Sequence, residues 1–367
     1  MLKFTSICTC IAFLFNMLGG FFSQVTDFIF FPEAPQTESV MFAGELGAGW
    51  NLGNTLDACS KGSSEKAGLE SENFWGNPTT TKEMIDYIKE AGFDTVRIPI
   101  TWAQHLGDAP NYEIDKDWLD RVNEIVDYVL DSGMKAIINV HHDDAFWLVT
   151  DYAHEEKATQ ILTRIWAQVA ERFKFYGTDL IFETMNEPRV TGIDEEWSGT
   201  DEYREVINNL NFAALKTIRN SGGNNAERFV SITTYAANYS EENIKALKLP
   251  DDERVMVSLH FYFNAAHSAE FYDCEEKISL SDKREIYKNF RTMYKYLIKK
   301  GYGIVNSEFG WTDRTNIENL SEKTEFYVHT ANKFGISCIV WDDGGNFGII
   351  DRDNLTTDYP SFLNAMV

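Results

Sequence analysis

Short apolar runs alternate with longer amphipathic stretches along almost all of this 367-residue chain. The apolar runs have strand length and lie near 46–52, 94–99, 135–140, 180–185, 228–233, 254–260, 303–307 and 337–342. Between them, apolar positions recur at helical spacing near 79–91, 117–132, 157–175, 200–220, 240–248, 282–300 and 321–334, and a last short helix is predicted near 359–366. Strands that each lead into a helix form parallel βαβ units. Eight such units predict a (β/α)8 TIM barrel, with an open doubly wound sheet as the alternative. Residues 25–40 read as a loose lead-in. No Ser/Thr/Pro-rich linker divides the rest, so residues 25–367 are expected to be one catalytic domain.

Polar residues at the ends of the apolar runs favour the barrel. Asn51, Arg97, His141, Glu187, His260, Glu308 and Trp341 all fall at predicted strand C-termini. A barrel gathers those ends into one crater, whereas an open sheet spreads them along an edge. Glu187 follows the run Leu180 to Met185, stands after Asn186, and precedes Pro188, which fixes the turn. Glu308 follows the run Gly303 to Asn306 and precedes Phe309-Gly310. Two carboxylates so placed suit a retaining glycosidase, one a proton donor with a raised pKa and the other an ionised nucleophile. Arg97 in Val96-Arg97-Ile98-Pro99 is the obvious cation for the nucleophile, since an arginine within an apolar strand is rarely unpaired. Arg97 and a hydrogen bond from Tyr262 are expected to hold Glu308 low, and the charge on Glu308 to raise Glu187.

Period-2 alternation puts His260 and Tyr262 on one face, with Phe261 packed on the other. Trp341 at a barrel rim is a flat platform for a sugar. Asn186 is placed to bond a sugar hydroxyl, and His105 in the second βα loop to face sugar. His141 is expected to face the crater, with His142 lining it. Adjacent histidines on a regular strand point to opposite faces, and no spaced His/Cys/Asp set accompanies them. No metal and no cofactor are therefore expected.

Other chemistries lack their signatures. The segment Gly47-Ala48-Gly49-Trp50-Asn51-Leu52-Gly53 does not match Gly-x-Gly-x-x-Gly, and a tryptophan would crowd a pyrophosphate. There is no P-loop and no Gly-x-Ser-x-Gly elbow. The formal net charge of -24 argues against nucleic acid or an anionic membrane as partner. Lys3 precedes an apolar run, Ile7 to Phe22, that is short for a membrane span and interrupted by Asn16. Residues 1–24 therefore read as a signal peptide, and the mature chain as a secreted monomer. Cys8 and Cys10 fall in that segment. Cys59, Cys274 and Cys338 remain, an odd count without tight spacing that is not a disulfide framework.

Taken in order, the motifs resemble glycoside hydrolase family 5. They run from Gly49-Trp50-Asn51-Leu52-Gly53-Asn54-Thr55-Leu56-Asp57 through Trp75-Gly76-Asn77-Pro78, Val96-Arg97-Ile98-Pro99 and Asn139-Val140-His141-His142-Asp143. They continue through Phe182-Glu183-Thr184-Met185-Asn186-Glu187-Pro188-Arg189, His260-Phe261-Tyr262, Glu308-Phe309-Gly310 and Trp341-Asp342. The opening motif and paired histidines look most like the endoglucanase subfamily of cellulases, lichenases and xyloglucanases. The resemblance implies Glu187 as acid/base and Glu308 as nucleophile, with Arg97, His141, Asn186, His260, Tyr262 and Trp341 around them. It implies a β-glucan polysaccharide as substrate. Ser307 and Asp343 depart from the family's usual Gly and Asn. The rival readings are an endo-β-1,4-mannanase on the same fold and a catalytically silent carbohydrate-binding barrel.

Overall fold

The computed structural model describes residues 33–63, 65–263 and 277–367. The expected signal peptide and Cys274 lie outside the described residues. Pro35–Val367 form one compact unit. Its eight parallel strands close into a barrel in chain order: β1 (Gly49–Asn51), β2 (Thr95–Ile98), β3 (Lys135–Asn139), β4 (Leu180–Glu183), β5 (Val230–Asn238), β6 (Val255–His260), β7 (Gly303–Phe309) and β8 (Ile336–Val340). Every predicted strand is present, and the open sheet is excluded because β1 pairs with β8.

The helices form where the chain supplies both an apolar stripe and a cap. Thr81 opens α2 (Lys82–Glu90) by accepting from the Met84 amide, and Asp115 opens α3 (Lys116–Asp131) by accepting from Trp118. The next two are α4 (Glu155–Arg172) and α5 (Asp201–Asn220), followed by the short α6 (Glu241–Ala246). Ser279 and Asp282 make a reciprocal capping box at the start of α7 (Leu280–Tyr296). Then come α8 (Ile317–Lys333) and α9 (Pro360–Asn364). Among the described residues no helix is long and apolar enough to cross a membrane.

The expected loose lead-in is partly a helix. Residues Glu38–Gly44 form α1, capped by Thr37. The helix is too short for its periodicity to stand out in the sequence. It closes the bottom of the barrel. Phe42, Ala43 and Leu46 pack on Ile137, Ile181, Met256, Val305 and Ile339, which come from five different strands. The Ser39 hydroxyl donates to Val255 O at 2.6 Å and accepts from the Gly303 amide at 2.7 Å, while Ser337 Oγ donates to Ala43 O at 2.6 Å. These bonds satisfy backbone groups that burial would otherwise strand.

At the opposite end the strands become irregular. Register shifts occur in β5 between Thr233 and Asn238, between β6 and β7 at Leu259/His260, and between β7 and β8 at Asn306/Phe309. Bulges of this kind re-aim side chains where a sheet ends. Here they fall where the polar residues gather.

Gly303 tests the floor of the barrel. A Cβ there would stand 2.2 Å from Ser39 O and 2.6 Å from Ala43 Cβ. Gly303→Ala should destabilise the protein by about 1–3 kcal/mol in urea unfolding, since α1 must be pushed off β7. A change within about 0.5 kcal/mol would mean that α1 is not tightly seated.

Candidate active site

Arg97 organises the crater. It is fully buried on β2 and its guanidinium reaches four side chains. Nε donates to Glu183 Oε2 at 2.7 Å, Nη1 to Glu308 Oε1 at 2.8 Å and Asn51 Oδ1 at 2.9 Å, and Nη2 to Asn186 Oδ1 at 2.7 Å. Burial works against this charge, but the two carboxylates more than offset it and hold the guanidinium above its ordinary pKa. Arg97 thus joins a structural ion pair with Glu183 to a contact with the candidate nucleophile Glu308.

Glu183 is the partner that sequence reasoning missed. It is buried at the end of β4 and also accepts from Asn139 Nδ2 at 2.9 Å and from the Ser258 hydroxyl. The signal was visible: an acid ending the run Leu180-Ile181-Phe182 is as anomalous as Arg97 in its own strand. Ser258 Oγ lies 2.5 Å from Ser307 Oγ. The unusual Ser307 therefore joins the polar layer beneath Glu308 and adds no charge. The other departure, Asp343, uses its carboxylate to accept from the Gly345 and Phe347 amides and so shapes the loop after β8.

Glu187, His260 and Glu308 form one titrating group. His260 Nδ1 is 2.7 Å from Glu187 Oε1 and 3.4 Å from Glu308 Oε2. Tyr262 OH donates to Glu308 Oε2 at 2.9 Å, as expected, while Phe261 is buried on the other face against Tyr239, Phe290 and Tyr327. Burial raises Glu187, but the hydrogen bond and charge of His260 pull it down to about 2. Burial lowers His260, and the two carboxylates more than reverse that, leaving it above the ordinary histidine value. Glu308 is raised, chiefly by burial, with His260, Arg97 and Tyr262 pulling the other way. This reverses both expected directions. The reason is His260, a third titrating group between the two carboxylates, which takes the proton in the resting site.

The paired histidines also differ from expectation. Strand β3 stops at Asn139, and a 3-10 turn runs over His142–Ala145. The two rings therefore meet edge to face with centroids 4.4 Å apart, and each offers a nitrogen within 4.8 Å of an Asp57 oxygen. The two histidines do not point to opposite faces, and it is the tautomer of His141 that disfavours a metal. Asn139 Oδ1 accepts from the Ile100 amide at 3.1 Å, so it is Asn139 Nδ2 that faces His141 Nδ1 at 3.1 Å. His141 Nδ1 must accept, and its proton lies on Nε2. Burial first, and then the neighbouring His142, hold His141 well below its ordinary pKa. It is a neutral donor, suited to a sugar hydroxyl and not to an ion. The second set of potential ligands is Glu187, His260 and Glu308, where the direct 2.7 Å bond fills the space an ion would need.

Trp341 lies parallel to His141, with centroids 5.7 Å apart and 2° between planes. Asp342 fixes the start of its loop by accepting from Trp50 Nε1 at 2.9 Å and Arg352 Nη2 at 3.1 Å. His142 faces Trp75 at 5.5 Å and Asp57 Oδ2 at 3.7 Å. Burial pushes Asp57 up to about 7 and His142 down to about 3, so this wall of the crater is close to neutral. Asn51 is buried and donates to Ser307 O at 2.9 Å and Val340 O at 3.1 Å, tying β1 to β7 and β8.

His105 is the exception among the predicted residues. Its ring stacks on Trp118 of α3, with centroids 3.7 Å apart, and its Nε2 lies 3.2 Å from Ser71 Oγ. Burial takes it down to about 4. It ties the loop after β1 to α3, and none of these contacts is with the crater residues. A histidine seven residues beyond the strand end at Ile98 has no fixed direction in sequence, and here the apolar face of Trp118 claims it.

A family model for cellulase (glycosyl hydrolase family 5) matches residues 58–346. The chain is 41% identical over 332 residues to cellulase/esterase CelE of Acetivibrio thermocellus, covering 88% of this chain and 39% of that protein. It is 41% identical to endoglucanase B of Clostridium cellulovorans, covering 88% of this chain and 74% of that one. A solved GH5-4 broad specificity endoglucanase from Ruminococcus champanellensis with bound cellotriose is 37% identical with a TM-score of 0.84, over 90% of this chain and 99% of that chain.

The Tyr262 hydroxyl gives a pH test. Its hydrogen bond favours the charged form of Glu308, so its removal should raise the Glu308 pKa further. Tyr262→Phe should move the acidic limb of kcat/KM to higher pH, by roughly half to one pH unit. An unmoved acidic limb in a folded variant would show that the hydroxyl does not set the ionisation of Glu308.

Proposed function

Because the chain belongs to glycosyl hydrolase family 5, the cellulase family, we propose that it is a secreted endo-β-1,4-glucanase that cuts internal bonds of cellulose, mixed-linkage β-glucan or xyloglucan with retention. As a family member it is a glycoside hydrolase of the endoglucanase kind. Residues 1–24 are its proposed export signal.

The observation that carries the retaining mechanism is the spacing of the two acids. A carboxylate oxygen of Glu187 and one of Glu308 lie within 4.8 Å of each other. Retaining sites hold their carboxyl groups about 5–5.5 Å apart, and inverting sites about 6.5–9.5 Å to admit a water. Glu308 attacks the anomeric carbon as the glycosidic C–O bond breaks, and Glu187 gives its proton to the leaving oxygen. The proton that rests on His260 reaches Glu187 along their 2.7 Å bond. Glu187, now ionised, deprotonates a water that attacks the same carbon and releases Glu308. Arg97 and Tyr262 favour the ionised Glu308 that begins and ends the cycle. Neutral His141 offers Nε2–H to a sugar hydroxyl, and Trp341 offers its ring face.

A reducing-sugar assay over carboxymethylcellulose, barley β-glucan, xyloglucan, mannan and xylan tests the substrate class. Glucans should be cut and mannan spared; the reverse result would make the enzyme a mannanase. Proton NMR of the first products should show the β-anomer, and early α-anomer would sink the double displacement.

The two glutamates should separate by leaving group. Glu308→Ala should abolish turnover of every substrate. Glu187→Ala should cripple polysaccharide hydrolysis, by about 100-fold or more, yet still release a burst of phenol from an aryl cellobioside. Identical behaviour of both variants on both substrate types would show the roles to be wrongly assigned.

A further inference from the structure

Glu187 is held from two sides. Its Oε1 faces His260 Nδ1 at 2.7 Å. Its Oε2 faces Arg189, whose Nη1 lies 3.5 Å away and also donates to Glu187 O at 2.9 Å. The same Nη1 lies 3.1 Å from Oδ2 of Asp144, a buried acid in the turn after β3. On its other edge Arg189 Nε donates to Glu196 Oε1 at 3.2 Å, and Glu196 Oε2 accepts from the Gly192 amide at 2.8 Å. The Trp197 ring lies against the guanidinium, its centre 4.5 Å from the guanidinium carbon. Arg189 is therefore fixed by its own loop and by Asp144, whatever the state of Glu187. The mechanism uses none of these contacts.

The two acids of the site are served alike but not equally. Each has an arginine that is itself anchored on a second, non-reacting acid: Arg97 on Glu183 beside Glu308, and Arg189 on Asp144 beside Glu187. Arg97 bonds Glu308 at 2.8 Å, whereas Arg189 stands off Glu187 at 3.5 Å, the outer limit of a hydrogen bond. A nucleophile must stay ionised until it attacks, so a close cation suits it. An acid/base must hold a proton and then lose it, so a close cation would strip it too early. Arginine has only donors. A neutral Glu187 therefore cannot turn a hydroxyl towards Arg189 and must carry its proton on Oε1, beside His260. Burial pushes Asp144 up to about 6, with Arg189 pulling it down and the charge of Glu187 adding to the rise. Above that pH Asp144 is ionised and competes with Glu187 for one nitrogen.

We propose that Arg189 and Asp144 are positioning residues for the acid/base. Arg189 holds Oε2 so that the transferable proton sits on Oε1, and Asp144 draws the guanidinium back far enough for Glu187 to take that proton. The charged and titratable groups that face Glu187 are His260 from β6, Glu308 from β7, His142 and Asp144 from the turn after β3, and Arg189 from its own loop. Among them Arg189 and Asp144 meet at one nitrogen and carry opposite charges, so replacing them must act on Glu187 with opposite signs. This inference rests on the endoglucanase reading above.

The test reads kcat/KM on two substrates that differ in their need for a proton. The leaving group of cellopentaose is a sugar and requires the acid, whereas that of 2,4-dinitrophenyl β-cellobioside departs as an anion. Arg189→Gln should lower kcat/KM for cellopentaose by about tenfold or more, and for the dinitrophenyl substrate by about threefold at most. The proton shared by Glu187 and His260 is lost on the alkaline limb. Loss of the cation binds that proton more tightly, so Arg189→Gln should move the limb for cellopentaose up by roughly half to one pH unit. Loss of the anion does the reverse, so Asp144→Asn should move it down by roughly half a unit. Equal losses on the two substrates, or limbs that do not move in opposite directions, would overturn the proposal in favour of a purely structural pair. Should Arg189→Gln fail to fold, Asp144→Asn decides alone, and a limb that stays or moves up overturns the proposal. A wild-type enzyme inactive on both substrates would instead refute the endoglucanase reading, and this proposal with it.

Discussion

The crater depends on one buried cation shared between two buried acids. Arg97 bonds Glu183 on one edge and Glu308 on the other, and spends its remaining donors on Asn51 and Asn186. With both acids ionised, two carboxylates and one guanidinium leave the cluster with one negative charge in excess. Removing one partner from such a buried pair typically costs about 3–5 kcal/mol, because the other is left unpaired. The same bonds tie β1, β2, β4 and β7 together at their C-terminal ends. Holding Glu308 and holding the barrel mouth are therefore one task, performed by the same hydrogen bonds.

Above this fixed layer the proposed mechanism needs a proton that can move. His260 provides it by standing between Glu187 and Glu308, within bonding distance of the first. The layer below is held by fixed pairing; the layer above is balanced by a proton. This separates what must not change during turnover from what must. Burial disfavours charge on the wall of His141, His142 and Asp57, although the chain as a whole is strongly acidic.

Much of this was legible in the sequence. All eight strands and the residues at their C-termini could be read from alternating runs, because parallel strands buried on both faces leave a strong apolar signal. The ion pair of Arg97 with Glu308 and the bond from Tyr262 followed from placing a charged or polar group where burial demands a partner. Glu183 escaped because it was counted within an apolar run, although its charge there demanded a partner too. The pKa directions escaped for another reason. They depend on His260 lying nearer Glu187 than Glu308, by less than an ångström, and no spacing rule resolves that. His105 escaped because a loop sets its direction, and α1 because a helix of 7 residues leaves too little periodicity to read.

The small helix α1 has a consequence for how the molecule is made. Its bonds to Val255, Gly303 and Ser337 join residues 216, 264 and 294 positions apart in the chain. Contacts over such separations are the slow ones to form. A ribosome releases α1 before all eight strands and β8 after the other seven, so the floor of the barrel stays open until the eighth strand has emerged. Until then Phe42 and Leu46 have no core to enter. The helix made before every strand is the one that must wait longest for its partners.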